Sequence, residues 1–146
     1  MSANQRWMEL GYRRTDLRRQ LVEAVLSGDK TATTSLRDEY VPSTDEPMPQ
    51  VGERQLLVGW DDEPVAVVET TEVRVVPAGK IDLQFARDEG EGSGSVADWR
   101  AAHERFWTGY IDDLRTGLRD PGFELTDSTV VVCEWFRVVE RLDGAS

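Results

Sequence analysis

Residues 129–142, TVVVCEWFRVVERL, are dominated by β-branched and aromatic side chains, which suit a pleated, packed surface. The run is too short to cross a bilayer as a helix. It is read as a strand, late in the chain and central in a sheet. Two further runs, RQLLVGW and PVAVVETTEVRVV, are joined by DDEP and read as a hairpin turning at 61–64. Helical signals fall elsewhere. In TDLRRQLVEAVLSG, Leu17, Leu21 and Val25 recur every four residues, Thr15 is the predicted N-cap and Gly28 the left-handed stop. Asp82 is placed to cap a short helix through FARDEG. Ser95 opens a longer helix with Asp98 three residues on, its apolar stripe running through Val96, Trp99, Phe106, Tyr110 and Leu114. TATTSL reads as another strand, and the proline-bearing segment 38–53 as an irregular loop or lid. Helices around several strands, without a βαβ rhythm, predict an α+β fold with a mostly antiparallel or barrel-like sheet.

At 146 residues, with no internal repeat or composition break, the chain is read as one domain, residues 1–146, with 1–14 as an N-terminal extension. The single cysteine, Cys133, lies in an apolar run; it is read as a buried thiol, and the absence of a possible intrachain disulfide favours a reducing compartment. No stretch resembles a signal peptide or a membrane span, so the expected location is the cytoplasm, with no membrane partner. The net charge is −11, unevenly spread. Residues 1–37 carry seven bases and four acids, a local +3 that leaves −14 on the remainder. A long polyanion is repelled by most of such a surface, whereas a nucleoside or short single strand can still meet a basic edge.

Chemistry concentrates in two stretches. In SGDKTATTSL, Lys30 follows the helix stop, where the negative end of the helix dipole favours the ammonium. That suits an anion clamp or oxyanion stabiliser; a general base needs the neutral amine and strong burial. An exposed lysine on the last carbonyls is the plainer alternative. In an extended strand Thr31, Thr33 and Ser35 share one side and Thr34 the other. In ARDEGEGSGSVAD, Asp88, Glu89, Glu91 and Asp98 crowd around glycines. They suit a general acid or base, a hard-cation site, or a solvated turn. The only histidine, His103, sits four residues after Trp99 and beside the apolar stripe, where a hydrogen-bonded packing role is the default. The five tryptophans serve as core, cleft wall or stacking surface.

Taken in order, LVEAVLSGDKTATTSL, VGE, EPVAVVETTEV, FARDEGEG, WRAAHERFW and VVVCEWFRVVE resemble the ASCH domain family over residues 17–140. GDKTAT matches that family's G-x-K-x-x-[ST] signature. The resemblance implies a fold similar to the PUA superfamily: a small mixed β-barrel flanked by two or three helices, with a cleft between them. It also implies an association with RNA. Some short bacterial members hydrolyse the acyl amide of acetylated cytidine, and carried over by motif their catalytic groups fall on Lys30, Thr33 and Glu89. Thr31, Ser35, Arg37, Trp99, Arg100 and His103 are the expected substrate-binding residues. Longer members have been associated with ribonuclease activity, and in that alternative a divalent cation near Asp88 and Glu91 assists; otherwise no cofactor is expected. The chain is longer than the amidohydrolase branch, and Ser93 stands where many long relatives have aspartate. Three readings follow: an amidohydrolase acting on a modified nucleoside, a ribonuclease acting on short single-stranded RNA, and an RNA-binding module without catalysis.

Overall fold

A computed structural model of the chain describes residues 6–41, 44, 46–90 and 94–142. Five strands form one mixed sheet in the order β1-β3-β4-β5-β2, curled into a half-barrel. They are β1 (Arg6–Met8), β2 (Ala32–Leu36), β3 (Arg54–Val58), β4 (Pro64–Pro77) and β5 (Val130–Arg141). Only β1 and β3 pair in parallel. The apolar C-terminal run is indeed interior, with β4 on one side and β2 on the other. Register shifts between Val67 and Val68 and between Thr70 and Glu72 insert extra residues into the β4–β5 pairing, and such bulges bend and twist a strand.

The helices are α1 (Asp16–Ser27), α2 (Leu83–Asp88), α3 (Val96–Gly109) and α4 (Ile111–Gly117). Their ends follow local chemistry. The Thr15 hydroxyl accepts from the Arg18 amide, Asp82 from Phe85 and Ser95 from Asp98. Among the described residues there are four α-helices where two or three were expected, because the single stripe through Phe106, Tyr110 and Leu114 is broken at Tyr110, which leaves helical geometry at φ −118° and ψ 27°. The sequence reading also set residues 1–14 apart as an extension. Instead, Arg6–Met8 is an edge strand, in register with Gln55, Leu56 and Leu57.

Alternation along β5 divides the core. Val131 and Cys133 point with Ala32 and Leu36 towards Phe85, Ala86, Trp99 and Trp107 of α2 and α3. Phe136 joins Met8, Leu57, Ala66 and Val68 against Val22 and Val25 of α1. The buried face of α1 is therefore Arg18, Val22 and Val25, while Leu17 is exposed. Arg18 is 1% exposed and donates to the carbonyls of Leu10, Gly11 and Gly59 and to Asp62, tying the chain before α1 and the β3–β4 turn to the helix. Burial pushes the Cys133 thiol up to about 12, as expected of a packing cysteine.

Candidate active site

Three segments meet where α1 ends. Gly28 closes the helix at φ +88°, the Lys30 amide returns to the Ala24 carbonyl at 3.0 Å, and the chain then enters β2. The end of α2 docks onto this exit. The Thr31 amide donates to the Asp88 carbonyl at 2.7 Å, while the Asp88 carboxylate accepts from Trp135 Nε1 and Gln84 Nε2, both at 2.9 Å. That docking carries Glu89 to Lys30. Nζ lies 3.6 Å from Glu89 Oε2 and donates to the Glu89 carbonyl at 3.2 Å, with both residues 2% exposed. An ammonium and a carboxylate so deeply buried are tolerable only as a pair.

Glu89 is the hub of the arrangement. Its Oε1 accepts from Trp99 Nε1 at 2.7 Å and from the Thr34 hydroxyl, and its Oε2 lies 3.4 Å from His103 Nε2. His103 stacks on Trp99 and directs Nδ1 to the Trp99 carbonyl at 2.9 Å. A carbonyl only accepts, so Nδ1 carries hydrogen. In a neutral ring Nε2 then turns its lone pair towards Glu89, and that contact becomes a hydrogen bond only with one proton between them. Lys30, Glu89 and His103 thus assemble a carboxyl group able to pass a proton, flanked by a cation.

The site opens on a cleft of about 730 Å³ between α1 and its preceding segment on one side and α3–α4 on the other. Lys30, Glu89 and His103 line it, together with Thr33, Thr34 and Ser35. Three consecutive strand residues can share a wall only if the strand presents its edge, and β2 is an edge of the sheet. A second cleft of about 780 Å³ shares Thr33, Thr34, Ser35 and Glu39 with the first and continues towards Arg6, Tyr40, Gln55 and Glu134.

The expected residues divide. Lys30, Glu89, Ser35 and His103 reach the cleft, and His103 touches Glu89 rather than serving only in packing. Thr33 lines both clefts, yet among the described residues its hydroxyl bonds neither Lys30 nor Glu89; Thr34 makes the bond to Glu89. Trp99 is 1% exposed and orients Glu89 from behind. Thr31 is occupied with the Asp88 carbonyl. Arg37 bonds the Val41 carbonyl and borders a separate groove with Asp120 and Phe123. Arg100 pairs with Glu104 and Asp127. These last three do not line the cleft. No group of three His, Cys, Asp or Glu suited to a metal occurs among the described residues, and Glu91 and Ser93 lie outside them.

The basic segment is internally neutralised. Arg6 pairs with Glu46 and Glu53, Arg13 and Arg18 with Asp62, Arg14 with Asp61, Arg19 with Asp16 and Lys30 with Glu89. Sequence counting gave a local +3, but folding sets six of those seven bases against acids drawn largely from elsewhere in the chain.

In the second cleft, burial pushes the carboxyls of Glu134 and Glu39 above the usual range. A group whose folded-state pKa is raised stabilises the fold below its unfolded pKa and loses that contribution as pH rises through the folded value. The melting temperature should therefore rise as pH falls from above the ordinary glutamate range into it. Lower still, Asp62 and Glu69, held below the usual range by arginine hydrogen bonds, act in the opposite direction. Glu134→Gln should flatten the rise, and a scan of melting temperature against pH with no difference between variant and parent would contradict this assignment.

Comparison with known proteins agrees with the geometry. The ASCH domain family model matches residues 7–140. An ASCH domain crystal structure from Lactobacillus crispatus is 33% identical, with a TM-score of 0.69 over 83% of this chain and 71% of that one. A protein from Enterococcus faecalis is 27% identical, with a TM-score of 0.79 over 97% and 79%. An ASCH protein from Zymomonas mobilis, 12% identical with a TM-score of 0.50 over 85% and 66%, shares the fold. No curated protein matches the sequence. Among the described residues no helix is long and apolar enough to cross a membrane. With the signature lysine paired to the glutamate after α2, in a half-barrel of this topology, the chain belongs to the ASCH domain family.

Proposed function

We propose that this cleft hydrolyses the acyl amide of an acylated cytidine, taking a small neutral nucleoside rather than a polynucleotide. One observation carries the reading: Glu89, buried and oriented by Trp99, holds the Thr34 hydroxyl on one oxygen and faces Lys30 and His103 with the other. That is a nucleophile in contact with its base, beside a cation. The Thr34 oxygen attacks the acyl carbon as Glu89 takes the hydroxyl proton. The oxyanion that forms is stabilised by the Lys30 ammonium, which lies against the same carboxylate. Glu89, sharing protons with His103, returns one to the departing exocyclic nitrogen, releasing cytidine and leaving an acyl ester on Thr34. Water activated by the same carboxylate then cleaves the ester to the free acid and restores the hydroxyl.

The pairing of the N-terminal arginines supports a nucleoside over an RNA strand, because neutralised bases offer little to a row of phosphates. The experiment is turnover of N4-acetylcytidine beside cleavage of unstructured RNA at low and high salt. Thr34→Val should lower kcat by at least about 100-fold, whereas Thr33→Val should act mainly on KM through lost cleft contact. Intact turnover in Thr34→Val, with loss in Thr33→Val, would return the nucleophile to the position the family signature suggests. Salt-sensitive RNA cleavage with acetylcytidine untouched would replace the reading by the ribonuclease.

A further inference from the structure

Glu134 is 5% exposed, yet it has no ion-pair partner among the described residues. Its Oε2 accepts from Gln55 Nε2 at 2.7 Å and from the Thr70 hydroxyl at 2.8 Å, and Gln55 also donates to Thr70 at 3.3 Å. Both bonds end on the same oxygen. Oε1 receives none from the described residues, although the side chain lines the second cleft. A glutamine would satisfy Gln55 and Thr70 equally without burying an ionisable group, so packing alone does not require the carboxyl. Two neighbours hold one oxygen still and leave the other turned to the cleft, as expected of a group that reads a ligand.

Position narrows what the ligand is. Glu134 is the direct cross-strand partner of Thr33, whose neighbour Thr34 bonds Glu89. Thr33, Thr34 and Ser35 form a wall common to both clefts, so a molecule reacting at Glu89 can extend around the β2 edge to Glu134. Glu39 and Glu53 line the same cleft, and Arg6, which also lines it, is paired with Glu46 and Glu53; this argues against an anion there. With Oε2 saturated, a proton taken up by Glu134 goes to Oε1, which then donates instead of accepting. Among nucleoside groups a sugar hydroxyl meets Oε1 in either state, since it both donates and accepts.

We propose that Glu134, fixed by Gln55 and Thr70, binds the ribose 2′-hydroxyl of the nucleoside whose base enters the Lys30–Glu89 cleft, so that the protein selects ribonucleosides over 2′-deoxyribonucleosides. This rests on the nucleoside reading above, and it is tested by binding rather than turnover so that the two can fail separately. Titration of the protein with cytidine and with 2′-deoxycytidine should give about 10- to 100-fold tighter binding of the riboside, the worth of a hydrogen bond to a charged group. Glu134→Met should abolish the preference. Glu134→Gln, in which a neutral amide replaces the carboxyl, should keep a small part of it. Thr70→Val, which removes one of the two donors that hold Oε2, should weaken it. Equal affinity for the two nucleosides in the parent protein, or an undiminished preference in Glu134→Met, overturns the assignment. A riboside preference that depends on Glu134 in a protein that leaves acetylcytidine intact supports the subsite and removes the hydrolase.

Discussion

Lys30→Met is expected to lower the folding free energy by about 3–5 kcal/mol, because it deletes the ammonium and leaves the Glu89 carboxylate buried opposite an apolar stem. Glu89→Gln should cost a similar amount by removing the carboxylate that faces the Lys30 ammonium. The informative protein is the double variant. With both charges gone, the amide oxygen that takes the place of the carboxylate still accepts from Trp99 and Thr34, and no bare charge remains. Lys30→Met/Glu89→Gln should therefore be more stable than either single variant, with a coupling energy of about 2–3 kcal/mol by urea denaturation. Turnover of an acylated cytidine should be lost in all three. Stability recovered without activity separates the chemical role of the pair from its structural one. Additive losses would mean that the two groups do not interact as their 3.6 Å separation requires.

How much of this was legible in the chain depended on the range of the interactions. Caps at Thr15, Asp82 and Ser95, and the stop at Gly28, are made by residues three or four apart and could be read directly. β4 and β5 announced themselves by composition. β1 did not: RWM is three residues long, shows no alternation, and exists because β3, far along the chain, offers it an edge. Arg18 counts among the cations of a basic segment, whereas the adjacent carbonyls of Leu10 and Gly11 and the distant one of Gly59 hold it buried. Nothing local signals such a clamp.

At the site, the family signature pointed to Lys30 and Glu89 because their company along the chain was distinctive. It also pointed to Thr33, whereas the hydroxyl bonded to Glu89 belongs to Thr34. Ala32, Thr34 and Leu36 alternate onto the face that meets α2 and α3, which is the face on which Glu89 arrives, while Thr33 faces Glu134. Spacing in a motif counts residues; it does not say which side of the pleat they occupy. The Trp99–His103 stack was visible as a one-turn spacing, but its convergence on Glu89 required α3 to fold back across the end of α2. The glutamate partnered to Gln55 and Thr70 had no signal at all, lying in an apolar run in which Val131, Val132, Cys133 and Phe136 are buried.

Gly90→Ala should be the most damaging small substitution in the protein. Gly90 has φ +66°, and a β-carbon there would lie 2.2 Å from the Asp29 carbonyl oxygen, 2.6 Å from its carbon and 2.8 Å from the Lys30 Cα. All three are backbone atoms, so no rotamer change relieves the contact. The bare Cα is what lets the end of α2 press onto the exit of α1, and that contact carries Glu89 to Lys30 and the Asp88 carbonyl to the Thr31 amide. Gly28 provides the control. It has the same left-handed backbone, φ +88°, but nothing lies within 4 Å of a β-carbon built on it. Gly28→Ala should cost only the conformational penalty, about 1 kcal/mol. Gly90→Ala adds a backbone collision to that penalty and should cost more than about 4 kcal/mol. If denaturation shows the two variants equally stable, the α1–α2 contact is looser than these distances require, and the route by which Glu89 reaches Lys30 must be sought elsewhere.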